Sequence, residues 1–199
     1  MNSWNEEIKK ELGGCGTDVF IGHNVMFTDP KAVFLGNRVR IDPFTLITAG
    51  LVTGNNIQIC SHVVMIGGGQ KVIMGDWTFA AYGSKIITAS EDQNGDFGPV
   101  NNFWGENKVN RGDVTLKNFS GISADVIVMS GVTIPEGCTI GAQSLVYRDR
   151  DLLPWSVFWG NPLKFRKNRN KESVIAFSKD PDFLKRTNFK RHLYFDEGG

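Results

Sequence analysis

Two groups of side chains in this 199-residue sequence have the chemistry to move a proton near neutral pH. His62, one of three histidines, falls in the turn of a six-residue repeat, so its ring should point outward and could act as a general base. The run Ser90-Glu91-Asp92 supplies two carboxylates that could hold or deprotonate an amine. Because His62 and Asp92 are separated by less than two coils of three blocks each, we expect them near one edge of adjacent coils. We predict His62, Glu91 and Asp92 as the catalytic residues.

Each of these residues also has a structural interpretation. His62 could be a turn or interface histidine, and Asp92 could be a turn former at the start of a loop. His23 lies far from that loop in the repeat, and His192 lies in a polar tail. A zinc enzyme needs clustered histidine ligands, two of them close in sequence, and these three histidines do not supply them. We therefore expect no metal.

Aromatic and basic residues mark two further candidate binding regions. Phe97, Phe103 and Trp104 lie in the glycine- and asparagine-rich stretch 92–115, where they could stack on a sugar face or a nucleotide base. We predict these three residues as the substrate-binding set. The segment from residue 162 to 191 contains ten Lys or Arg and only three acids. This local excess of positive charge suits the binding of phosphates. A solvated charged tail is the alternative for this basic run.

The elements that must position these groups come from a repeat of six residues. Five in-register blocks run from 116 to 145, and earlier blocks cover 21–70 and 74–91. The first position is aliphatic, aromatic or Ala in every block except the one led by Thr53. Neither a period of 2 nor a period of 3.6 fits this spacing. It predicts one short strand and one turn per block, each burying its first residue by stacking on the next. A β-sandwich is the less favoured alternative.

Five segments carry a resemblance to a known family: RIDPF (40–44), SHVVMIGGG (61–69), TASEDQNG (88–95), PEGCTIGAQSLV (135–146) and PWSVFWGNPLKF (154–165). With the blocks, they resemble the hexapeptide-repeat acyltransferases, most closely the sugar acetyltransferases of O-antigen and surface-polysaccharide biosynthesis. The resemblance implies an all-β, left-handed parallel β-helix with three hexads per coil, a long protruding loop and short terminal helices. We expect an N-terminal capping helix at 1–17, the β-helix at 18–150 with its loop at 92–115, and a C-terminal cap and basic tail at 151–199.

The same resemblance implies a coenzyme A site in a groove between subunits of a homotrimer, with acetyl-CoA as the acyl donor. The residues that match the family's cofactor positions are Ala124, Ser130, Gly131, Ala142, Gly160, Lys164 and Arg166. Many family members carry their catalytic histidine at the start of the long loop. This chain has Ser90-Glu91-Asp92 there instead, which puts the usual histidine mechanism in doubt.

That departure bears on the acceptor. A sugar hydroxyl needs a strong base before it attacks, whereas an amine near neutral pH is partly unprotonated and reacts once it is positioned. We therefore predict N-acetylation of an amino sugar, linked to a nucleotide. O-acetylation of a sugar or small xenobiotic is the alternative, and a non-catalytic β-helix scaffold is a more remote one.

The bulk composition limits the partners and the compartment. Lys plus Arg number 22 and Asp plus Glu number 21, so no global charge excess points to nucleic acid or a membrane surface. No apolar run has the length of a signal peptide or a bilayer span. The three cysteines are scattered and odd in number, as expected of free thiols in a reducing compartment. We expect a cytoplasmic protein.

Overall fold

The structure, a computed structural model, describes residues 3–91, 109–148 and 150–181, and for residues 3–5 the backbone only. Four of the predicted site residues, Asp92, Phe97, Phe103 and Trp104, lie outside the described residues.

Short strands follow one another around three parallel sheets, which form the faces of a three-sided rod. The first face contains β1 (Gly14–Cys15), β4 (Val33–Leu35), β7 (Gly50–Thr53), β10 (Lys71–Met74), β15 (Val114–Leu116) and β18 (Thr133–Ile134). The second contains β2 (Phe20–Ile21), β5 (Val39–Ile41), β8 (Ile57–Ile59), β11 (Phe79–Ala80), β16 (Gly121–Ile122), β19 (Thr139–Ile140), β21 (Ser156–Trp159) and the antiparallel β22 (Lys164–Asn168). The third contains β3 (Met26–Phe27), β6 (Leu46–Ile47), β9 (Val64–Ile66), β12 (Lys85–Ile87), β17 (Ile127–Val128) and β20 (Leu145–Val146).

Strand register fixes the length of a coil. Ile41 pairs with Ile59 and Leu46 pairs with Val64, so one circuit of the three faces takes three hexads. The predicted fold class is confirmed: the described chain is a parallel β-helix with few helices, which are α1 (Ser3–Glu11), α2 (Lys171–Ser178) and a 3-10 turn at Pro30–Ala32.

The core runs along the axis of the rod, where most hexads bury both their first and their fifth residue, as Ile122 and Val126 do. The first residue of each hexad points inward, as the repeat predicts, and almost all of these residues are buried. The buried ones are Ile21, Leu35, Ile41, Ile47, Thr53, Ile59, Met65, Met74, Ala80, Ile86, Leu116, Ile122, Val128, Ile134, Ile140 and Val146. Leu12, next to α1, and Phe158, near the other end, are also buried in this core. Each coil therefore buries apolar area only through the coils on either side of it.

The edges of the rod connect these faces, and we name them by the faces they join. The first edge joins the first and second faces and includes residues 36–38, 54–56, 75–78 and 117–120. The second edge joins the second and third faces and includes residues 42–45, 60–63, 81–84, 123–126, 141–144 and 160. The third edge joins the third and first faces and includes residues 48–49, 67–70, 88–91, 109–113 and 129–132.

Side-chain hydrogen bonds run from coil to coil along the first edge. The Oδ1 atom of Asn55 accepts from the backbone N–H of Asn37 at 2.9 Å, and Asp76 Oδ1 accepts from Asn55 N–H at 2.7 Å. Asn118 Oδ1 in turn accepts from Asp76 N–H at 2.9 Å. These bonds satisfy turn amides that the parallel sheets leave unpaired.

The structure corrects two details of the predicted register. Residues 71–73, which the count in sixes leaves between the blocks 21–70 and 74–91 as extra residues, belong to β10, and the extra length of that coil lies in the turn Gly67–Gln70. The stretch 92–115, expected as loop, contains β14 (Val109–Arg111) and the start of β15; β14 pairs with β13 (Ala89–Glu91) as an antiparallel hairpin. Counting in sixes could not detect the hairpin, because its strands follow no hexad. No helix among the described residues is long and apolar enough to cross a bilayer.

This core gives a direct stability test. Replacing the fully buried Ile122 with Ala should lower the free energy of unfolding by about 2–5 kcal/mol, since both apolar contact and packing are lost. Denaturant unfolding at fixed protein concentration measures the change. Leu153→Ala, at a side chain that is 53% exposed and outside the strands of the three faces, is the matched control and should cost about 0.5 kcal/mol or less. Equal losses in the two variants would contradict a core built from the inward residues of the hexads.

Candidate functional site

The second edge carries a column of equivalent positions that ends in small residues. Strand pairing across the second face aligns one residue from each of five successive coils. These residues are Ile59, Ala80, Ile122, Ile140 and Phe158. The residues two places after them therefore stack on one another along the second edge. In order, they are Ser61, Tyr82, Ala124, Ala142 and Gly160. We call this set the edge column. At about 4.8 Å per coil, its four steps span about 19 Å.

Three predicted cofactor residues, Ala124, Ala142 and Gly160, are thus brought into line by the fold. Their small side chains leave the surface of the edge open along the last three coils. Gly160 is held in place because its backbone N–H donates to Ser144 Oγ at 2.8 Å. The sequence resemblance named these residues individually, but their alignment follows from strand register.

The basic residues Lys164 and Arg166 lie at the Gly160 end of the edge column. Both belong to β22, every residue of which is exposed, and Lys164 pairs with Trp159, the neighbour of Gly160. The guanidinium of Arg166 lies 4.3 Å from the centre of the Trp159 ring, a cation–π contact that fixes the charge beside the edge. Neither residue forms a salt bridge within the described part of the chain. Their charges are therefore available to an anion.

Not all of the predicted basic run faces solvent. Arg169 donates through Nη1 to the carbonyl oxygens of Phe119 and Gly137, at 2.7 Å each, and burial lowers its guanidinium pKa. Lys171 lies 5.3 Å from the centre of the Trp155 ring. These two residues fasten the C-terminal segment to the first edge, so part of the charge has a structural role.

His62 lies one position after Ser61 on the second edge. Its φ of 61° is in the left-handed region, and its exposed imidazole stacks on the exposed ring of Phe44, with 5.4 Å between centroids and 6° between planes. The equivalent position in the next coil is Gly83, which has no side chain to cover the other side of His62. A Cβ at Gly83 would meet Asp125 Oδ1 at 2.3 Å, so the Asp125 carboxylate lies directly beyond that gap. His62 therefore has the Phe44 ring on one side and, on the other, Gly83, whose missing side chain leaves room that the Asp125 carboxylate approaches.

A buried charged group underlies this edge. Arg40 donates through Nε to Asp42 Oδ1 at 2.5 Å, and only 3% of the Asp42 side chain is exposed. Burial, with a smaller contribution from the Asp42 charge, raises the pKa of the Cys60 thiol to about 11. Cys60 is thus a neutral thiol near pH 7 and is not a nucleophile, although it lies close to His62 in the sequence.

The third edge holds the remaining described candidates. The β13–β14 hairpin starts from this edge. Its first strand ends at Glu91, and Ser90 lies opposite Asn110. A Cβ on Gly112, just after the hairpin, would lie 2.7 Å from Gly131 Cα. Ser130 and Gly131 are therefore adjacent to the base of the strand pair that carries Glu91.

The predicted residues consequently divide between two edges. His62, Ala124, Ala142 and Gly160 lie on the second edge, whereas Glu91, Ser130 and Gly131 lie on the third. Asp92, which we expect near the edge of His62, lies outside the described residues, whereas Glu91 and His62 lie on different edges within one chain. The reason is that β12 crosses the whole third face between the two positions, which separation in sequence alone does not reveal.

Other parts of the described surface offer weaker sites. An open depression of about 320 Å³ lies on the first face and first edge, lined by Ile73, Thr115, Lys117 and Glu136, away from the predicted residues. The residues described contain no group of three His, Cys, Asp or Glu side chains arranged to hold a metal ion.

Sequence reasoning gave no role to three residues that the fold places on the second edge within two coils of His62, namely Phe44, Tyr82 and Asp125. Counting three hexads per coil backwards from His62 reaches Phe44 directly. Tyr82 and Asp125 lie beyond the insertions at the third edge, so the same count reaches them only once the length of each insertion is known.

Comparison with known structures shows which proteins share this fold. A hexapeptide-repeat acetyltransferase of Vibrio cholerae, solved with acetyl coenzyme A, matches with a TM-score of 0.58 over 82% of this chain and 75% of that one; at 17% identity it shows the fold alone. AntD, an N-acyltransferase from Bacillus cereus solved with dTDP and 3-hydroxybutyryl-CoA, matches with a TM-score of 0.80 at 28% identity, over 94% of this chain and 97% of AntD.

Curated relatives give the same picture. The chain is 29% identical over 170 residues to the dTDP-4-amino-4,6-dideoxy-D-glucose acyltransferase of Escherichia coli, covering 82% of this chain and 86% of the relative. It is 33% identical over 121 residues to a probable macrolide acetyltransferase of Lysinibacillus sphaericus, covering 55% and 66%. It is 27% identical over 128 residues to a chloramphenicol acetyltransferase of Agrobacterium fabrum, covering 63% and 55%, so the chain spans only about half of that relative. No protein-family profile matches the sequence.

These matches confirm the predicted resemblance to the hexapeptide-repeat acyltransferases. The predicted enzyme class, acyltransferase, is the one that these relatives share, and the predicted donor class, an acyl-CoA, is bound in the V. cholerae and B. cereus structures.

Proposed function

We propose that this protein transfers the acetyl group of acetyl-CoA to the amine of a dTDP-linked amino sugar. The observation that carries the proposal is the similarity to AntD over nearly the whole of both chains. The E. coli relative is named for an acceptor of the same kind and is covered over most of its length. The carboxylates of the Ser90-Glu91-Asp92 run favour the same acceptor, because an amine needs positioning more than it needs a strong base.

The chemistry is nucleophilic attack of the amine on the thioester carbonyl. The new C–N bond forms as the C–S bond breaks, coenzyme A leaves as the thiol, and the amine gives up a proton. We assign the pantetheine arm to the edge column, where Ala124, Ala142 and Gly160 leave room for it. We assign the phosphates of coenzyme A to Lys164 and Arg166, whose charges are fixed beside Gly160. The thioester then lies toward Tyr82 and His62.

Copies of the chain supply the parts of the site that one edge lacks, and we propose a homotrimer. The outward side chains of the third face form a column that is apolar except at Lys85. Its members are Met26, Leu46, Val64, Lys85, Ile127 and Leu145. Met26 is 64% exposed in the single chain. An apolar stripe of this kind favours contact with another chain. Packing there would bring the second edge of one copy toward the third edge of the next, joining His62 to Glu91 across the interface.

Both substrates also bear on location. Acetyl-CoA and nucleotide sugars are made and used in the cytoplasm, and the described thiols form no disulfide. We therefore assign the protein to the cytoplasm, in the synthesis of acylated sugars for surface polysaccharides such as O-antigen.

A panel of acceptors tests the function. With acetyl-CoA, we expect release of free coenzyme A thiol and an acetylated product with dTDP-4-amino-4,6-dideoxyglucose. We expect none with the counterpart that carries a hydroxyl in place of the amine, and none with chloramphenicol. Acetylation of either hydroxyl acceptor would support the O-acetyltransferase alternative, which the chloramphenicol acetyltransferase relative motivates. No thiol release from any acceptor, with no rise in Tm on adding coenzyme A, would leave only the scaffold alternative.

The role of His62 as general base can be tested by His62→Asn. Asparagine tolerates the left-handed backbone at φ 61°, so the turn should be kept while the base is lost. We expect kcat/KM to fall about 100-fold and the acidic limb of its pH profile, which reports the base, to change. His23→Asn, the same change in an exposed turn of the first coil, is the control and should leave the rate unaltered. Full activity in His62→Asn would reduce His62 to a turn residue.

The trimer can be tested at the centre of the third-face column. Ile127→Glu places a charge in the proposed contact, and we expect light scattering to report a monomer with little transferase activity. Thr133→Glu, on the exposed first face, is the matched control and should remain trimeric and active. A trimer that survives Ile127→Glu would rule out this face as the contact.

A further inference from the structure

Both large departures from the three-hexad coil lie on the third edge, on successive coils. One is the turn Gly67–Gln70, and the other is the β13–β14 hairpin. They follow Ile66 and Ile87, which pair with each other across the third face. The turn and the base of the hairpin are therefore neighbours.

A single side chain joins them. Arg111, the last residue of β14, donates through Nη1 to the carbonyl oxygen of Gly68 at 3.1 Å and to Gln70 Oε1 at 3.5 Å. A planar guanidinium can serve two acceptors at once, and its charge strengthens both bonds. Arg111 thus ties the hairpin to the preceding coil from the outside.

Backbone contacts at the same place make the approach close. The N–H of Gly112 donates to Thr88 O at 3.0 Å, and Asp113 Oδ1 accepts from Lys71 N–H at 2.8 Å. A Cβ on Gly67 would lie only 1.8 Å from Thr88 Oγ1, so only glycine fits under the base of the hairpin. The turn is therefore shaped to receive this strand pair.

We propose that Arg111 is a positioning residue that holds Glu91 in place for the acceptor. Arg111 is paired with Ala89 in the hairpin, on the strand that ends at Glu91. The described ladder has three residue pairs, and a two-stranded ribbon of that size is not stable without further contacts. The tie to Gly68 and Gln70 supplies such a contact. The proposal rests on the proposed function, because Glu91 has a catalytic role only if an amine acceptor is bound beside it.

Two substitutions of Arg111, measured in two ways, test the proposal. Arg111→Ala should speed hydrogen exchange of the hairpin amides at Ser90 and Glu91. It should raise KM for the amino-sugar acceptor about tenfold or more, while KM for acetyl-CoA stays within about twofold. Arg111→Lys keeps the charge but replaces the planar, preorganised guanidinium with an ammonium on a flexible stem, so intermediate values of both measurements are expected.

Neighbouring residues provide matched controls. Asn110→Ala removes the adjacent exposed side chain of the same strand, and Gly68→Ala adds a methyl group where no atom lies within 4 Å while keeping the accepting carbonyl. Both should behave as the wild type. Unchanged hairpin exchange in Arg111→Ala would overturn the tie. A parallel rise in both KM values with a lower Tm would overturn its positioning role in favour of a general structural one.

The exchange measurement needs no activity, so it tests the contact of Arg111 with the turn separately from the proposed function. A wild-type protein that acylates no amine would overturn the proposed function and, with it, the catalytic use of Glu91. Faster exchange in Arg111→Ala would still establish that Arg111 fastens the hairpin.

Discussion

Parallel stacking of equal coils is the constraint on which this molecule depends. A two- or three-residue strand cannot bury its inward side chains alone, so each coil is stable only when it stacks in register on its neighbours. Ile41, Ile59 and Ala80 pair in line because each coil contains three hexads, with any insertion confined to an edge. The packed interior leaves no room for extra residues within a strand. Any residue added to the chain has to leave the rod at an edge.

This constraint explains where the candidate chemistry lies. At the second edge, the turn residues adopt left-handed backbone and expose their side chains, as His62 and Phe44 do. At the third edge, the coils release the Gly67–Gln70 turn and the β13–β14 hairpin. Strict register places residues from distant parts of the sequence in single file, which gives the edge column without any local motif. The same rigidity holds Arg166 and Trp159 beside its last member.

The division of the candidates between two edges follows from the width of a face. A strand of the third face separates His62 from the hairpin of Glu91, and the two side chains start from opposite ends of that strand. In the proposed trimer, two neighbouring copies bring the second edge of one chain and the third edge of the other together, which completes the site. The outward aliphatic positions Leu46, Val64 and Ile127 on that face are the part of the surface best suited to such a contact.

The fold class and several candidate site residues could be predicted from the repeat and the resemblance alone. Residues such as Ile122 and Ile140 recur at the first position of their hexads because each strand turns the same position inward, and no long-range information is needed to detect that period. The resemblance likewise named Ala124, Ala142 and Gly160. The edge that each residue occupies became visible only in the folded chain. The Gly67–Gln70 insertion and the hairpin at Glu91 obey no hexad, so their positions depend on contacts such as Arg111 with Gly68, which join distant parts of the chain. A one-dimensional period cannot encode a contact between two interruptions of that period.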